Sequence, residues 1–153
     1  RIVNTVSCTY AIGRIEPDFF EKGRNGRFFR IPVYSNTKLA LLLFTQELAE
    51  RLQNQGITIN ASDPGIVSTN MITMQAWFDP LTDILFRPFI KTPAQGAATA
   101  IHLALSNEAK DKNGCCYANC KKRNVSERIR HHAQQKQLWD DTEILLRQKG
   151  IRF

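Results

Sequence analysis

Val33-Tyr34-Ser35-Asn36-Thr37-Lys38-Leu39-Ala40 opens a long apolar-striped segment that runs to Gly56, and Ile57-Thr58-Ile59-Asn60-Ala61 follows at once. The spacing of Leu41, Phe44, Leu48 and Leu52 predicts a helix over residues 34–55 with one face on a core. Gly56 is its expected C-terminal stop. The β-branched run 57–61 predicts a strand, and so does Arg1-Ile2-Val3-Asn4-Thr5-Val6 ahead of the helix. A strand, a helix and a strand in this order make a βαβ unit. The expected fold class is therefore α/β with a parallel sheet.

On a helix, Tyr34 and Lys38 lie one turn apart on one face. The unperturbed phenol has a pKa of about 10, and a nearby cation favours its ionised form. Such a pair can exchange a proton with a substrate oxygen near neutral pH. The spacing alone is weak evidence, because Tyr117-Ala118-Asn119-Cys120-Lys121 repeats it among only three tyrosines. No apolar helical stripe surrounds Tyr117. Gly114-Cys115-Cys116-Tyr117-Ala118 reads as a short buried strand, so Tyr117 receives no catalytic role.

The chain has 153 residues, enough for one domain with a real core. Hydrophobic residues make up 42% and charged residues 23%, the balance of a globular domain. No run of about 18 apolar residues occurs. The net charge is +7, and residues 107–153 hold eleven Lys and Arg against six Asp and Glu. These basic residues are scattered with few aromatics between them, which reads as a solvated surface, and no nucleic-acid partner is expected. Three of the four cysteines crowd into residues 115–120, unlike a secreted disulfide framework. Cys116, Cys120, His131 and His132 match no standard zinc spacing, so no metal is expected.

Ser7 stands at the carboxyl end of the first strand, where ligands bind in open parallel sheets. It reads equally as a turn-satisfying serine. Residues 13–32 form a loop rich in glycine, proline and charge. After the second strand, Ser62-Asp63-Pro64-Gly65-Ile66-Val67-Ser68-Thr69 forces a turn at another strand end, where the backbone can approach a ligand closely. Residues 70–92 are apolar but broken by prolines, which suits a substrate-binding loop or a segment packed on the core or a partner. Thr92-Pro93 opens a further helix, whose expected packing face is Ala97, Ala100, Ile101, Ala104 and Leu105. His102 within it reads as structural. A third strand is expected over 115–119 and a last helix over 133–148.

Ser7, Tyr34-x-x-x-Lys38 and Pro64-Gly65-x-Val67-x-Thr69 occur in the order that resembles the short-chain dehydrogenase/reductase family. Arg1-Ile2-Val3-Asn4, Tyr34-Ser35-Asn36-Thr37-Lys38-Leu39-Ala40, Phe44-Thr45-Gln46-Glu47-Leu48-Ala49 and Lys91-Thr92-Pro93-Ala94-Gln95-Gly96-Ala97 point to its retinol-dehydrogenase-like branch, which includes the WW-domain-containing oxidoreductase. The resemblance implies a Rossmann-like, doubly wound parallel sheet. It implies that Tyr34 is the general acid/base and that Lys38 favours its ionisation and binds the nicotinamide ribose. Ser7 would hydrogen-bond the substrate oxygen. Pro64, Gly65 and Val67 would line the nicotinamide, and Thr69 would reach its carboxamide or the pyrophosphate.

The activity so implied is hydride transfer between NAD(P)(H) and a lipophilic alcohol, aldehyde or ketone of retinoid, steroid or fatty-aldehyde type. The residue 66–92 loop would cover that substrate. NADP is slightly favoured over NAD. The resemblance also allows a homodimer, an intracellular location in the cytoplasm or at the endoplasmic reticulum, and membrane association through a preceding segment. Asp63 departs from the histidine many relatives carry before Pro-Gly, and Cys8 from a small or apolar residue after the serine. The family's glycine-rich pyrophosphate turn and Asn-Asn-Ala-Gly segment have no counterpart here. Residues 1–153 are therefore expected to be the C-terminal half of one dinucleotide-binding domain, with about three strands. The alternative is a truncated, non-enzymatic paralogue serving as a binding or regulatory module.

Overall fold

Strand β1 (Ile2–Thr5) lies parallel to β2 (Ile59–Asp63), with Ile2 opposite Ile59 and Thr5 opposite Ser62. The computed structural model describes residues 1–16, 19–20, 30–67 and 90–151. Next to β2 runs β3 (Cys116–Ala118), also parallel, with Ala61 opposite Cys116. The sheet order is β1-β2-β3-β4. The fourth strand, β4 (Lys121–Lys122), returns antiparallel to β3 and was not expected from the sequence. Two residues are too few to show alternation. Its signal is instead the turn before it: Asn119 and Cys120 have φ of 53° and 59°, the left-handed pair that a two-residue hairpin requires.

The strand β2 was expected two residues earlier, over 57–61. Pairing decides otherwise, because Ile2 N donates to the Thr58 carbonyl and the Ile59 N–H is taken by the Asn113 side chain. All five residues of β2 are buried, as befits a strand covered on both faces.

Helix α1 (Arg30–Arg51) connects β1 to β2. It begins four residues before the expected start, with Pro32 inside its first turn. Proline is tolerated there because the first helical N–H groups have no intrahelical partner. It also ends before the expected stop: residues 52–56 form turns, with Asn54 and Gly56 at φ of 68° and 71°. Ser35, Leu39, Leu42, Leu43 and Ala49 are its buried face. The stripe read from the sequence, Leu41, Phe44 and Leu48, lies to one side of it. There Phe44 stacks on Trp139 of α4 at 5.3 Å between centroids. The helix is apolar towards two neighbours, so a single periodic stripe described only one.

Helix α2 (Pro93–Leu105) is capped by Thr92, whose Oγ1 accepts from Gln95 N while Gln95 Oε1 accepts from Thr92 N. Its buried residues are Gly96, Thr99 and Leu103. This corrects the expected face, since Ile101 is 54% and Leu105 76% exposed. Small residues surround this helix, so composition could not choose the face. Gly96 chooses it: a Cβ there would come within 2.5 Å of Val67 Cγ2. Beyond β4, α3 (Glu127–Arg130) and α4 (Gln135–Gln148) complete the chain.

The core has two parts. Val6, Tyr10, Leu39, Leu42, Leu43, Ala61, Cys116, Ile129 and Leu138 join α1 and α4 to one side of the sheet. Leu103, Ala109 and Tyr117 join α2 to the other, with Val3 against them. Helices on both faces of a parallel-dominated sheet are the expected doubly wound α/β arrangement. Among the described residues no helix is long and apolar enough to cross a membrane.

Candidate active site

The register of β1 and β2 sets two turns at one end of the sheet. Thr5 and Ser62 share a rung, and Val6 N donates to the Ser62 carbonyl at 2.9 Å. Two residues beyond that rung stand Ser7 on one strand and Pro64 on the other. This is the carboxyl edge, the ligand-binding edge of open α/β sheets.

Ser7 caps the 3-10 turn Cys8–Ile12. Its Oγ accepts from Thr9 N at 3.4 Å and from Thr9 Oγ1 at 3.2 Å. Both contacts use the oxygen as acceptor, which leaves the hydroxyl hydrogen to donate. The turn-satisfying and the functional readings of Ser7 are therefore compatible.

Tyr34 and Lys38 occupy the N-terminal half of α1. Lys38 Nζ donates to the Thr5 carbonyl at 2.9 Å and lies 5.5 Å from the centroid of the Tyr34 ring. Tyr34 is 39% exposed. The ammonium is thus pinned to the end of β1 beside the phenol ring, with two N–H donors left over. Asn36 Oδ1 accepts from Arg14 N at 2.9 Å and holds the segment after Ser7 against the same helix. Gly13 completes that contact, since a Cβ there would lie 2.5 Å from the Ser35 carbonyl oxygen.

At the second turn Gly65 adopts φ of +76°, a conformation that favours glycine. Asp63 is only 2% exposed, and its Oδ2 pairs with Arg123 Nη1 at 2.7 Å. Its Oδ1 accepts from Gly65 N at 3.0 Å. Lys91 Nζ donates to the Pro64 carbonyl at 2.9 Å and to Asn119 Oδ1 at 2.7 Å. Val67 forms a parallel bridge with Lys91. Thr69 and most of the expected 66–92 loop lie outside the described residues.

Beneath this edge Tyr10 and Cys116 are buried together. Burial, reinforced by the neighbouring Cys116, pushes the Tyr10 phenol up to about 12. Burial and the nearby Asp63 push the Cys116 thiol up to about 11. Both are neutral at physiological pH and serve as core. Among the described residues no group of three or more His, Cys, Asp and Glu side chains is gathered as a metal site.

A sequence model of the short chain dehydrogenase family matches residues 22–77. Over its whole length the chain is 38% identical to Retinol dehydrogenase 12 of Mus musculus, of which it covers 46%. The chain belongs to the short-chain dehydrogenase family. It spans about half the length of the curated relatives it matches. A solved structure of an uncharacterized protein from Mycobacterium Paratuberculosis superposes with a TM-score of 0.65 at 23% identity, over 96% of this chain and 50% of that one. A blue fluorescent protein from a metagenomic library, solved in complex with NADPH, gives 0.52 at 26% identity, over 77% and 42%. The Rossmann-like fold expected for a short-chain dehydrogenase is the fold adopted here.

In this short-chain dehydrogenase the expected residues Ser7, Tyr34, Lys38, Pro64, Gly65 and Val67 all belong to the two turns and the adjoining helix. Lys91, Asn119 and Arg123 were not singled out from the sequence. Lys91 directly precedes the capping box of α2, and that position could have marked it. Arg123 had no signal beyond being one of many scattered basic residues.

Proposed function

We propose that residues 1–153 are the C-terminal half of one Rossmann-type domain, and that the whole protein is an NAD(P)-dependent oxidoreductase acting on a lipophilic alcohol, aldehyde or ketone. The observation that carries this reading is the Lys38 hydrogen bond to the Thr5 carbonyl. It fixes an ammonium and a phenol at the sheet edge from which Ser7 projects.

The residues present fit a nicotinamide dinucleotide. Gly65 gives an exposed backbone at positive φ beyond the end of β2. Lys38 retains donors suited to ribose hydroxyls. Pro64, Gly65 and Val67 would line the nicotinamide, and Thr69 would extend that lining. The dinucleotide supplies the hydride acceptor or donor. The chain supplies the proton path. In alcohol oxidation Ser7 donates a hydrogen bond to the reacting oxygen, and Tyr34 takes the hydroxyl proton as hydride leaves the carbon. In reduction Tyr34 returns the proton to that oxygen.

The similarity to retinol dehydrogenases supports a retinoid-like substrate. NADP is the favoured cofactor by resemblance, and the NADPH-bound structural relative is in keeping with it. All four cysteines are free thiols, which supports a reducing, intracellular location.

The test is steady-state reduction of retinaldehyde by the full-length protein with NADPH or NADH. Tyr34→Phe should abolish turnover while leaving dinucleotide binding intact. Normal turnover by that variant would sink the assignment. Absence of dinucleotide binding by the unaltered protein would favour a non-enzymatic paralogue.

A further inference from the structure

A single peptide group between Pro64 and Gly65 has both of its polar ends taken by side chains. The Pro64 carbonyl accepts from Lys91 Nζ at 2.9 Å, and the Gly65 N–H donates to Asp63 Oδ1 at 3.0 Å. Each side chain is itself held from further away. Arg123, just beyond β4, grips Asp63 Oδ2 at 2.7 Å, and Asn119 Oδ1 accepts from Lys91 Nζ at 2.7 Å. Lys91 also lies over the glycine. A Cβ on Gly65 would meet Lys91 Nζ at 3.0 Å and Cε at 3.2 Å. Its backbone N–H donates to the Ile66 carbonyl at 2.8 Å.

Turns with glycine as the third residue have two common forms, which differ by rotation of the central peptide. Glycine φ is near +80° in one and near −90° in the other. Proline before glycine is compatible with both. Gly65 stands at +76°. Rotating this peptide would break the Lys91 contact at one end and the Asp63 contact at the other.

We propose that Asp63 with Arg123, and Lys91 with Asn119, are positioning residues that lock the Pro64–Gly65 peptide in one orientation and so preset the turn against the nicotinamide. The inference rests on the dinucleotide reading above. It assigns the buried Asp63 a task that the usual histidine would perform differently: the carboxylate holds a backbone N–H while it is itself anchored to β4's flank.

The test uses the full-length protein, with NADPH and NADH as probes and retinaldehyde as substrate. Lys91→Met keeps the stem over Gly65 but removes the ammonium. It should raise KM for the dinucleotide about tenfold, the loss expected for one charged hydrogen bond, with a much smaller change in kcat. Lys91→Arg should recover part of that loss. Asp63→Ala should speed hydrogen exchange of the Gly65 amide with no dinucleotide present. The Lys91→Met/Asp63→Ala double variant should lose less affinity than the two single losses combined, because either change frees the same peptide. A lowered Tm with unchanged KM would mean that the residues are only structural and would overturn the proposal. So would fully additive losses. Failure of the unaltered protein to bind either dinucleotide would overturn both readings, whereas normal binding by Lys91→Met would overturn the clamp alone.

Discussion

Lys38 Nζ donates its hydrogen bond to the carbonyl of Thr5, the last residue of β1, and this contact joins the helix that bears Tyr34 to the strand that leads to Ser7. Replacing Lys38 with Met removes the contact and the cation together. Turnover of the full-length protein should fall by about a hundredfold or more, the scale of a lost proton-transfer arrangement. Thermal unfolding should shift by only a few degrees, since one partly exposed hydrogen bond is worth about 1 kcal/mol. Comparing kcat with the unfolding midpoint checks this, and parallel loss of both would place Lys38 in the scaffold instead.

Gly13→Ala should destabilise the chain by about 1–3 kcal/mol, the range for overpacking a close contact. The obstacle is the Ser35 carbonyl at 2.5 Å from the new Cβ, and a backbone atom inside α1 cannot swing away. At Gly56 no atom lies within 4 Å of such a Cβ, and the penalty there comes only from φ of +71°. Gly56→Ala should therefore cost about 1 kcal/mol. Urea unfolding of the two variants separates the steric from the conformational effect.

Alkaline pH should unfold the protein through Tyr10 and Cys116. Their native pKa values, about 12 and about 11, exceed the ordinary values of 10.0 and 9.0. The unfolded chain thus releases these protons first. Stability is full below about pH 9 and declines as pH rises towards 11 and 12. A pH series of denaturant midpoints measures this, and Cys116→Ala should flatten the early part of the decline. For the same reason Cys116 should resist a thiol reagent at pH 8 while the exposed Cys8 reacts.

On the acid side, His132 is the residue to watch. Burial, helped by the nearby Arg128, lowers its pKa below 6.5. Its Nδ1 accepts from Gln134 N at 3.2 Å, just ahead of α4, and only the neutral ring can accept. The unfolded chain binds the proton more readily. The contribution of His132 is therefore present above about pH 6.5 and is lost as pH falls through the lower native value. His132→Asn should weaken the acid dependence, and helicity followed from pH 7 to pH 5 tests it.

The βαβ order and the strand-end position of Ser7 were legible in the sequence because β-branched runs and one helical stripe dominate residues 1–61. The family resemblance placed Tyr34 and Lys38. What stayed hidden is mostly long-range. The start of β2 is set by the Asn113 side chain and the position of Thr58 opposite Ile2, not by local propensity. The buried face of α2 depends on Gly96 meeting Val67, which no helical pattern of small residues can indicate. Asp63 was visible as a departure, but its partner Arg123 lies 60 residues away in sequence.

The parallel pairing of β1 with β2 also orders events in time. The two strands are neighbours in the sheet yet are separated in the chain by all of α1. Helix α1 contains only local hydrogen bonds and can form while the chain is still searching. The β1–β2 pairing must first close a long loop, the step that slows folding of parallel sheets. Tyr34 and Lys38 can therefore reach their mutual spacing early, while Lys38 finds the Thr5 carbonyl only after the sheet has zipped. A refolding experiment should see helical signal return before the first trace of enzymatic competence.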